Sequence, residues 1–243
     1  MKNILIQKFD EVISLGEDCA CASYLKKNHL RFQSYPFDWL TNASLKTRLE
    51  LVINNFADFM NIDDLKLMDK ASLGHPSTDS NFDYYHNLKN DFYFFHDFKA
   101  NILLKKTYDE VKKKFDKRIN IFLKKLHQDK KILLVWLSHT KLNDNQMIID
   151  KIEEINKKFS SKIYFLVIEN TQQNNENAEY INISSNILRV KIETHNFSTN
   201  SDPTLGIYEN CQQIFRQIRL KNYWVKRIYF KIFKILKKNK FVI

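Results

Sequence analysis

Short apolar runs alternate with longer stretches of helical periodicity along this chain. The runs lie at 11–15, 132–137, 163–168 and 187–192, and the second of them, Ile-Leu-Leu-Val-Trp-Leu, is apolar at every position. Short uninterrupted runs of this kind are typical of strands that a parallel sheet buries on both faces. The aromatic residues at 91–98 predict one further strand.

The segments between these runs have helical spacing. Apolar residues at every third or fourth position predict helices at 18–29, 44–58, 107–126, 144–159 and 203–219. Strands that alternate with helices imply crossover connections and a parallel sheet. We therefore expect an α/β fold with a mainly parallel sheet flanked by helices and a helical insertion at about 40–90.

Length and composition favour one main domain. The chain has 243 residues, of which 44% are hydrophobic, and this is enough to bury one full core. We predict a single α/β domain over residues 1–221 and a basic amphipathic C-terminal helix over 222–243. In that helix Val225, Ile228 and Ile232 share one face by helical spacing.

The positive charge is concentrated at the C-terminal end. The net charge is +11, and residues 210–243 hold ten Lys and Arg with no Asp or Glu, which leaves +1 for the rest. A nearly neutral body does not indicate specific binding of nucleic acid. A basic amphipathic helix with aromatic residues predicts contact with an anionic membrane surface through 222–240, and a helix docked on the body is the alternative.

Other classes find little support in the sequence. Three cysteines without a CxxC pair or a His/Cys cluster predict neither a disulfide framework nor a metal site. Without a glycine-rich loop we expect no nucleotide cofactor. The N-terminal residues are too few and too charged for a secretory signal, and no apolar run is long enough to span a membrane. We expect a cytoplasmic protein that is peripheral to the inner face of the membrane.

The segment 13–40 has the strongest chemical pattern. An apolar strand stops at Gly16, Glu17 and Asp18 stand where a helix begins, and Cys19 falls in its first turn. The positive end of the helix dipole favours a thiolate there, which is how a nucleophile is placed at the end of a strand. The alternative is a purely structural turn in which Cys19 packs as a small hydrophobic residue. Cys21 would point to another side of the helix.

Polar residues follow several of the predicted strands, where open α/β sheets bind ligands. They are Ser14, Glu17, Asp18, His96, Asp97, Ser138, His139, Glu169, Asn170, His195 and Asn196. A nucleophilic cysteine needs a base within hydrogen-bond reach. His96 is the first candidate and His195 the second. Each of these histidines also has an ordinary structural interpretation, with its ring hydrogen-bonded to the backbone.

Three motifs together carry a resemblance to a known family. They are Ser-Leu-Gly-Glu-Asp-Cys at 14–19, Pro-Phe-Asp-Trp at 36–39 and Phe-His-Asp-Phe at 95–98. In combination they resemble a bacterial and viral domain family labelled papain-like cysteine peptidase. The resemblance implies Cys19 as nucleophile and His96 as base, with Asp38 or Asp97 as polar partners. The residues that we predict to contact substrate are Ser14, Gly16, Glu17, Asp18, Phe37, Trp39 and His195.

The predicted function is that of a cysteine-dependent hydrolase or acyl transferase, on a peptide, acyl or glycan substrate. One alternative is a transferase that modifies surface glycans at the membrane. In it Asp38, His96 or Asp97 would act, and Phe37 and Trp39 would stack on a sugar. The other alternative is a non-catalytic binding module that its C-terminal helix brings to the membrane.

Overall fold

A computed structural model describes residues 4–70, 80–128, 130–138, 142–170, 178–192, 211–228, 230 and 232. The strands are β1 (Lys8–Phe9), β2 (Glu11–Ser14), β3 (Leu40–Asn42), β4 (Leu65–Leu67), β5 (Phe82–Asn87), β6 (Phe92–Lys99), β7 (Lys131–Ser138), β8 (Lys162–Asn170), β9 (Glu179–Asn182), β10 (Ile187–Ile192) and β11 (Arg219–Leu220). The helices are α1 (Cys19–Lys27), α2 (Leu45–Ile53), α3 (Leu104–Leu126) and α4 (Asn145–Lys158). Two short 3-10 helices cover Ile4–Ile6 and Ile62–Asp64.

A five-stranded sheet forms the centre of the molecule, in the order β2-β7-β8-β10-β9. The first four of these strands are parallel, and β9 is antiparallel to β10 at the edge. The predicted parallel sheet is therefore confirmed for the strands that the apolar runs indicated. The edge strand β9 was not predicted, because its residues are polar and only partly buried.

The sheet is buried on both faces, as continuous apolar runs require. Alternate residues of β7 belong to two separate core clusters, with Leu134 and Trp136 on one face and Leu133 and Val135 on the other. Helix α1 and the helical residues 211–217 cover the second face. Helices α2, α3 and α4 cover the first. Helices on both faces explain why β7 tolerates no polar residue along its middle.

The insertion at 40–90 is a correction to our prediction. Where the structure describes it, this segment holds one α-helix, α2, and the strands β3, β4 and β5. With β6 these strands form an antiparallel sheet in the order β3-β6-β5-β4. The fold is therefore mixed α/β. The aromatic side chains of β5 and β6 pack on both faces of the hairpin, so the alternation that marks a half-buried strand is weak in the sequence.

The C-terminal part departs from the predicted helix at 203–219. Residues 203–210 lie outside the described residues, 211–217 are helical, and Arg219–Leu220 form β11. Strand β11 pairs in parallel with β1, and the amide of Lys221 donates to the carbonyl of Phe9 at 2.8 Å. This pairing with the start of the chain ended the helix, and it was not visible from local periodicity.

The following residues, 223–228, are helical and lie against the body. Tyr223 packs on the core cluster of the second face, and Lys226 contacts Glu11 at 3.2 Å. The outer face carries Trp224, Val225, Ile228 and Ile232, whose exposed fractions run from 50% to 68%. No helix among the described residues is long and apolar enough to cross a membrane. The boundary at residue 221 stays a prediction.

We predict that Phe122→Ala destabilises the protein by about 3–5 kcal/mol, because a buried aromatic side chain is replaced by a cavity. Phe122 is fully buried on α3 and contacts the rings of Tyr35, Phe37 and Phe56. The exposed Lys113 on the same helix gives a matched control, and Lys113→Ala should change stability by less than about 0.5 kcal/mol. Urea denaturation measures both, and equal stability of the two variants would contradict the assignment of Phe122 to the core.

Candidate active site

The turn after β2 is built around Gly16. A side-chain carbon at this position would lie 2.4 Å from the Cβ atom of Cys21, so only glycine fits. The amide of Gly16 donates to the hydroxyl of Ser14 at 3.1 Å. The amide of Leu15 donates to the carbonyl of Val135 at 2.8 Å, which keeps the turn attached to β7. Ser14 is fully buried, so it shapes this turn from inside, and its predicted contact with a substrate stays a prediction.

Cys19 is the first residue of α1, directly after this turn. The carboxylate of Asp18 caps the helix and accepts from the amide of Ala20 at 2.7 Å. Cys19 is partly exposed, whereas Cys21 and Cys211 are fully buried. Burial raises the pKa of the Cys21 thiol to about 12, and that thiol donates to the carbonyl of Val135. Cys19 is thus the thiol that solvent reaches.

The same burial raises the pKa of the Cys211 thiol to about 12. A thiol with so high a pKa is almost wholly protonated at neutral pH and reacts slowly as a nucleophile. The structure therefore separates the three cysteines into two that pack in the core and one at a helix start. That Cys19 rather than Cys21 faces a site stays a prediction, and Cys19 is the more exposed of the two.

Glu17 links the turn to the end of β7. Its carboxylate accepts from the hydroxyl of Ser138 at 3.1 Å, and Ser138 is the last residue of β7. Glu17 and Asp18 are both partly exposed. Two of the strand ends that we predicted to meet are therefore in contact, as the carboxyl ends of neighbouring parallel strands should be.

Arg48 on α2 is hydrogen-bonded to this turn. Arg48 was not identified from the sequence as part of the site. Its guanidinium donates to the backbone carbonyls of Glu17, Ala43 and Leu40 at 3.0–3.2 Å. It also lies over three aromatic rings, those of Phe37, Phe92 and Trp136. The side chain is fully buried. The signal was present in the sequence, because Arg48 interrupts the apolar stripe of α2 between Leu45 and Val52.

The charge of Arg48 acts on the turn. Burial lowers the pKa of its guanidinium to about 9, while the carboxylates of Asp18 and Glu17 act in the opposite direction. The guanidinium remains mainly protonated at neutral pH with that value. A positive charge therefore lies close to the residues that precede Cys19, and it partly offsets the negative charges of Glu17 and Asp18.

An ion pair joins β10 to β8 near the carboxyl end of β8. Arg189 on β10 donates to the carboxylate of Glu169 on β8 at 2.5 Å, and both side chains are buried. Glu169 also accepts from the amide of Leu142 at 3.1 Å. Asn170 ends β8, and the predicted residues His139, His195 and Asn196 lie outside the described residues.

The Pro-Phe-Asp-Trp motif forms a buried turn. The carboxylate of Asp38 accepts from Arg31 at 2.7 Å and from the amide of Tyr35 at 2.8 Å. Burial raises the pKa of Asp38, although Arg31 acts against this rise. Phe37 is in the core, and Trp39 is partly exposed with Arg31 over its ring. Of this motif, Trp39 is the side chain that remains open to a substrate.

His96 and Asp97 lie on β6, in the antiparallel sheet. His96 is exposed, and its ring meets the ring of Phe82 edge-on, with 6.2 Å between the centroids. Asp97 has little exposed surface and forms an ion pair with Lys114 on α3. The ring contact of His96 is thus within the hairpin, whereas Cys19 lies on α1, which follows β2 of the parallel sheet. Pairing of the two stays a prediction.

Asp97 and Asp38 do share one neighbour. The two aspartates come from different motifs. The guanidinium of Arg118 on α3 interacts electrostatically with both of their carboxylates. Asp38 and Asp97 therefore both act on the charge of Arg118. No group of three or more His, Cys, Asp or Glu suited to a metal ion occurs in the described ranges.

We predict that Arg48→Leu lowers the free energy of unfolding by about 3 kcal/mol, because three buried carbonyls lose their donor. Arg48→Lys should also destabilise, since an ammonium group cannot reproduce the planar fork of the guanidinium. Lys46 on the exposed face of α2 provides the control, and Lys46→Leu should change little. Chemical denaturation measures these variants. Wild-type stability of Arg48→Leu would show that the turn does not depend on this residue.

Comparisons with known proteins agree with the resemblance of the three motifs. The chain is 27% identical over 153 residues to "Uncharacterized protein R408" of Acanthamoeba polyphaga mimivirus. The aligned region covers 59% of this chain and 67% of that protein. Comparison with solved structures finds no match. A family model matches residues 10–201, a span that includes Cys19, Asp38 and His96. The chain therefore belongs to the family described as "Putative papain-like cysteine peptidase (DUF1796)".

Proposed function

We propose that the protein is a cysteine-dependent hydrolase or acyl transferase with Cys19 as its nucleophile. The observation that supports this most is the contrast among the cysteines. Cys19 is partly exposed at a helix start, and the other two thiols are buried with pKa values of about 12. Membership of a family described by cysteine peptidase chemistry agrees with that choice.

The proposed reaction begins with attack of the Cys19 sulfur on a carbonyl carbon. The tetrahedral intermediate then expels the leaving group, which takes up a proton, and a thioester of Cys19 remains. Water hydrolyses the thioester in a hydrolase, and an acceptor amine or hydroxyl replaces water in an acyl transferase. Backbone N–H groups at the start of a helix such as α1 are suitable donors to the oxyanion.

The proposed base is a histidine. We assign it to His96 from the motif at 95–98, and its exposure leaves the ring free to exchange protons with solvent. The contact of His96 with Phe82 does not itself connect the ring to Cys19. Variants of Cys19 test the nucleophile, and a variant of His96 tests the base.

We predict that Cys19 alone is alkylated by iodoacetamide in the folded protein, because solvent does not reach the other two thiols. Mass spectrometry of digested protein locates the label, and Cys19→Ser should abolish it. The same thiol should release nitrophenol from p-nitrophenyl acetate in a stoichiometric burst. Cys211→Ala is the matched control and should keep both signals. Labelling of Cys21 with Cys19 unlabelled would exclude the proposed nucleophile.

The rate of alkylation as a function of pH tests the base. If His96 forms an ion pair with the thiolate, His96→Ala should slow the reaction below pH 7 by about tenfold. His86→Ala, on the neighbouring strand β5, is the control. An unchanged profile would remove His96 from the proposal, and alanine variants of the remaining histidines would then identify the base.

The glycan transferase alternative has weaker support from the geometry. It requires Phe37 and Asp38 in a sugar pocket, and both side chains are fully buried. Asp38 is also already paired with Arg31. Trp39 remains the one aromatic residue of that motif with open surface.

We further propose that the C-terminal helix contacts an anionic membrane surface. Its outer face holds four exposed apolar side chains, Trp224, Val225, Ile228 and Ile232. The segment 210–243 contributes ten positive charges and no acidic residue. Apolar side chains beside many cations are the chemistry that an anionic lipid interface binds.

We predict that the protein sediments with vesicles of phosphatidylcholine and phosphatidylserine but little with phosphatidylcholine alone. Val225→Gln/Ile228→Gln should weaken the binding by about tenfold, because two apolar contacts with the lipid interface are lost. Leu67→Gln/Leu88→Gln, which alters two exposed apolar residues of the antiparallel sheet, is the control. Equal sedimentation of both double variants would contradict a membrane role for this face.

A further inference from the structure

A cavity lies at the amino end of β2, where Glu11 forms part of its wall. It has a volume of about 700 Å³ and lies between α3, residues 32–34 and the C-terminal helix. Five basic side chains line it, and they are Lys114, Lys117, Arg118, Lys125 and Lys226. Among the described lining residues Glu11 is the one acid. Such a volume is typical of pockets that bind small molecules.

The basic residues of α3 form a stripe that faces this cavity. Lys114, Lys117, Arg118 and Lys125 follow helical spacing, and Ile121 lies among them. The opposite stripe of α3, which includes Phe115 and Phe122, packs in the core. Lysines on a surface helix commonly spread into solvent. Here the stripe forms one wall of a hollow whose other side includes Lys226 and Phe230.

The positive charge of this wall is only partly balanced. Lys114 pairs with Asp97, and both Lys125 and Lys226 pair with Glu11, at 2.8 Å and 3.2 Å. Arg118 has a buried Nη1 atom without a hydrogen-bond partner in the described part of the chain. Lys117 makes no ion pair with a described residue. Lys117 therefore remains available to a ligand, while the carboxylates of Asp38 and Asp97 partly balance the charge of Arg118.

The pKa values of Arg118 and Lys226 are both lowered, as expected where positive charges are crowded and partly buried. Burial lowers the pKa of Lys226, and the like charges of Lys125 and Lys130 lower it further. Burial also lowers the pKa of Arg118. Crowded, partly buried cations are stabilised when an anion binds among them. The carboxylates of Asp38 and Asp97 act on the pKa of Arg118 in the opposite direction to burial.

We propose that this cavity binds a phosphate-bearing ligand. Arg118 and Lys117 would hold the phosphate, because a guanidinium and an ammonium group donate several charge-assisted hydrogen bonds to its oxygens. Phe32, Ile121 and Phe230 would contact an apolar part of the same ligand. The shared chemistry is a phosphate joined to an apolar group, which occurs both in soluble phosphate esters and in lipid headgroups.

Isothermal titration calorimetry with the full chain tests the proposal. The probes are inorganic pyrophosphate and dioctanoyl phosphatidic acid below its critical micelle concentration. We expect saturable binding of at least one probe, weakened by about tenfold in Lys117→Gln and in Arg118→Gln. Lys113→Gln, on the exposed side of the same helix, should change the affinity by about twofold at most.

The two probes distinguish the source of the phosphate. Binding of pyrophosphate at least as tight as that of the lipid supports a soluble ligand, and binding of the lipid alone supports a headgroup. Absence of binding by both, or equal affinity of Lys117→Gln and wild type, would overturn the proposal. Lys117 is exposed, so its variant folds even if Arg118→Gln does not. Since Glu11 begins β2 and Cys19 follows its other end, this result and the Cys19 experiments succeed or fail separately.

Discussion

The buried guanidinium of Arg48 is the interaction on which the arrangement of this molecule depends. Placing a cation in the interior costs several kcal/mol unless its hydrogen bonds are satisfied. Here three carbonyls and three aromatic rings surround it, and its Nη1 atom is left without a hydrogen-bond partner among the described residues. Those groups come from the turn before Cys19, from the start of α2, and from both sheets. One side chain therefore fixes the antiparallel sheet against the parallel sheet at the point where the nucleophile is presented.

The three sequence motifs, at 14–19, 36–39 and 95–98, have different structural roles. Ser14, Gly16 and Asp38 are buried and shape turns, while Glu17, Asp18 and Cys19 are the residues that those turns leave partly exposed. Asp38 and Asp97 meet at Arg118, beside the basic cavity. The motifs thus serve two separate regions. One lies beyond the carboxyl end of β2 and suits covalent chemistry at a thiol, and the other lies at its amino end and suits an anion.

Much of the parallel layer was predictable because its signal is local. The runs that became β2, β7, β8 and β10 are apolar and short, and the stripes of α3 and α4 are long and regular. The antiparallel layer was not. Strand β5 mixes aromatic, acidic and amide residues, and β11 has two residues whose partner is at the other end of the chain. Short strands that depend on distant partners have little pattern of their own.

The sequence by itself determined which segments are buried on both faces, where α1 begins, and which residues could carry chemistry. Periodicity, capping residues and turn residues act over a few positions, so they can be read directly. Only the tertiary structure decided that two of the three thiols are sealed in the core, that Arg48 is hydrogen-bonded to the turn before the third, and that three lysines of α3 line a cavity. Burial and electrostatic contact depend on residues far apart in the chain, and their outcome exists only once those residues pack together.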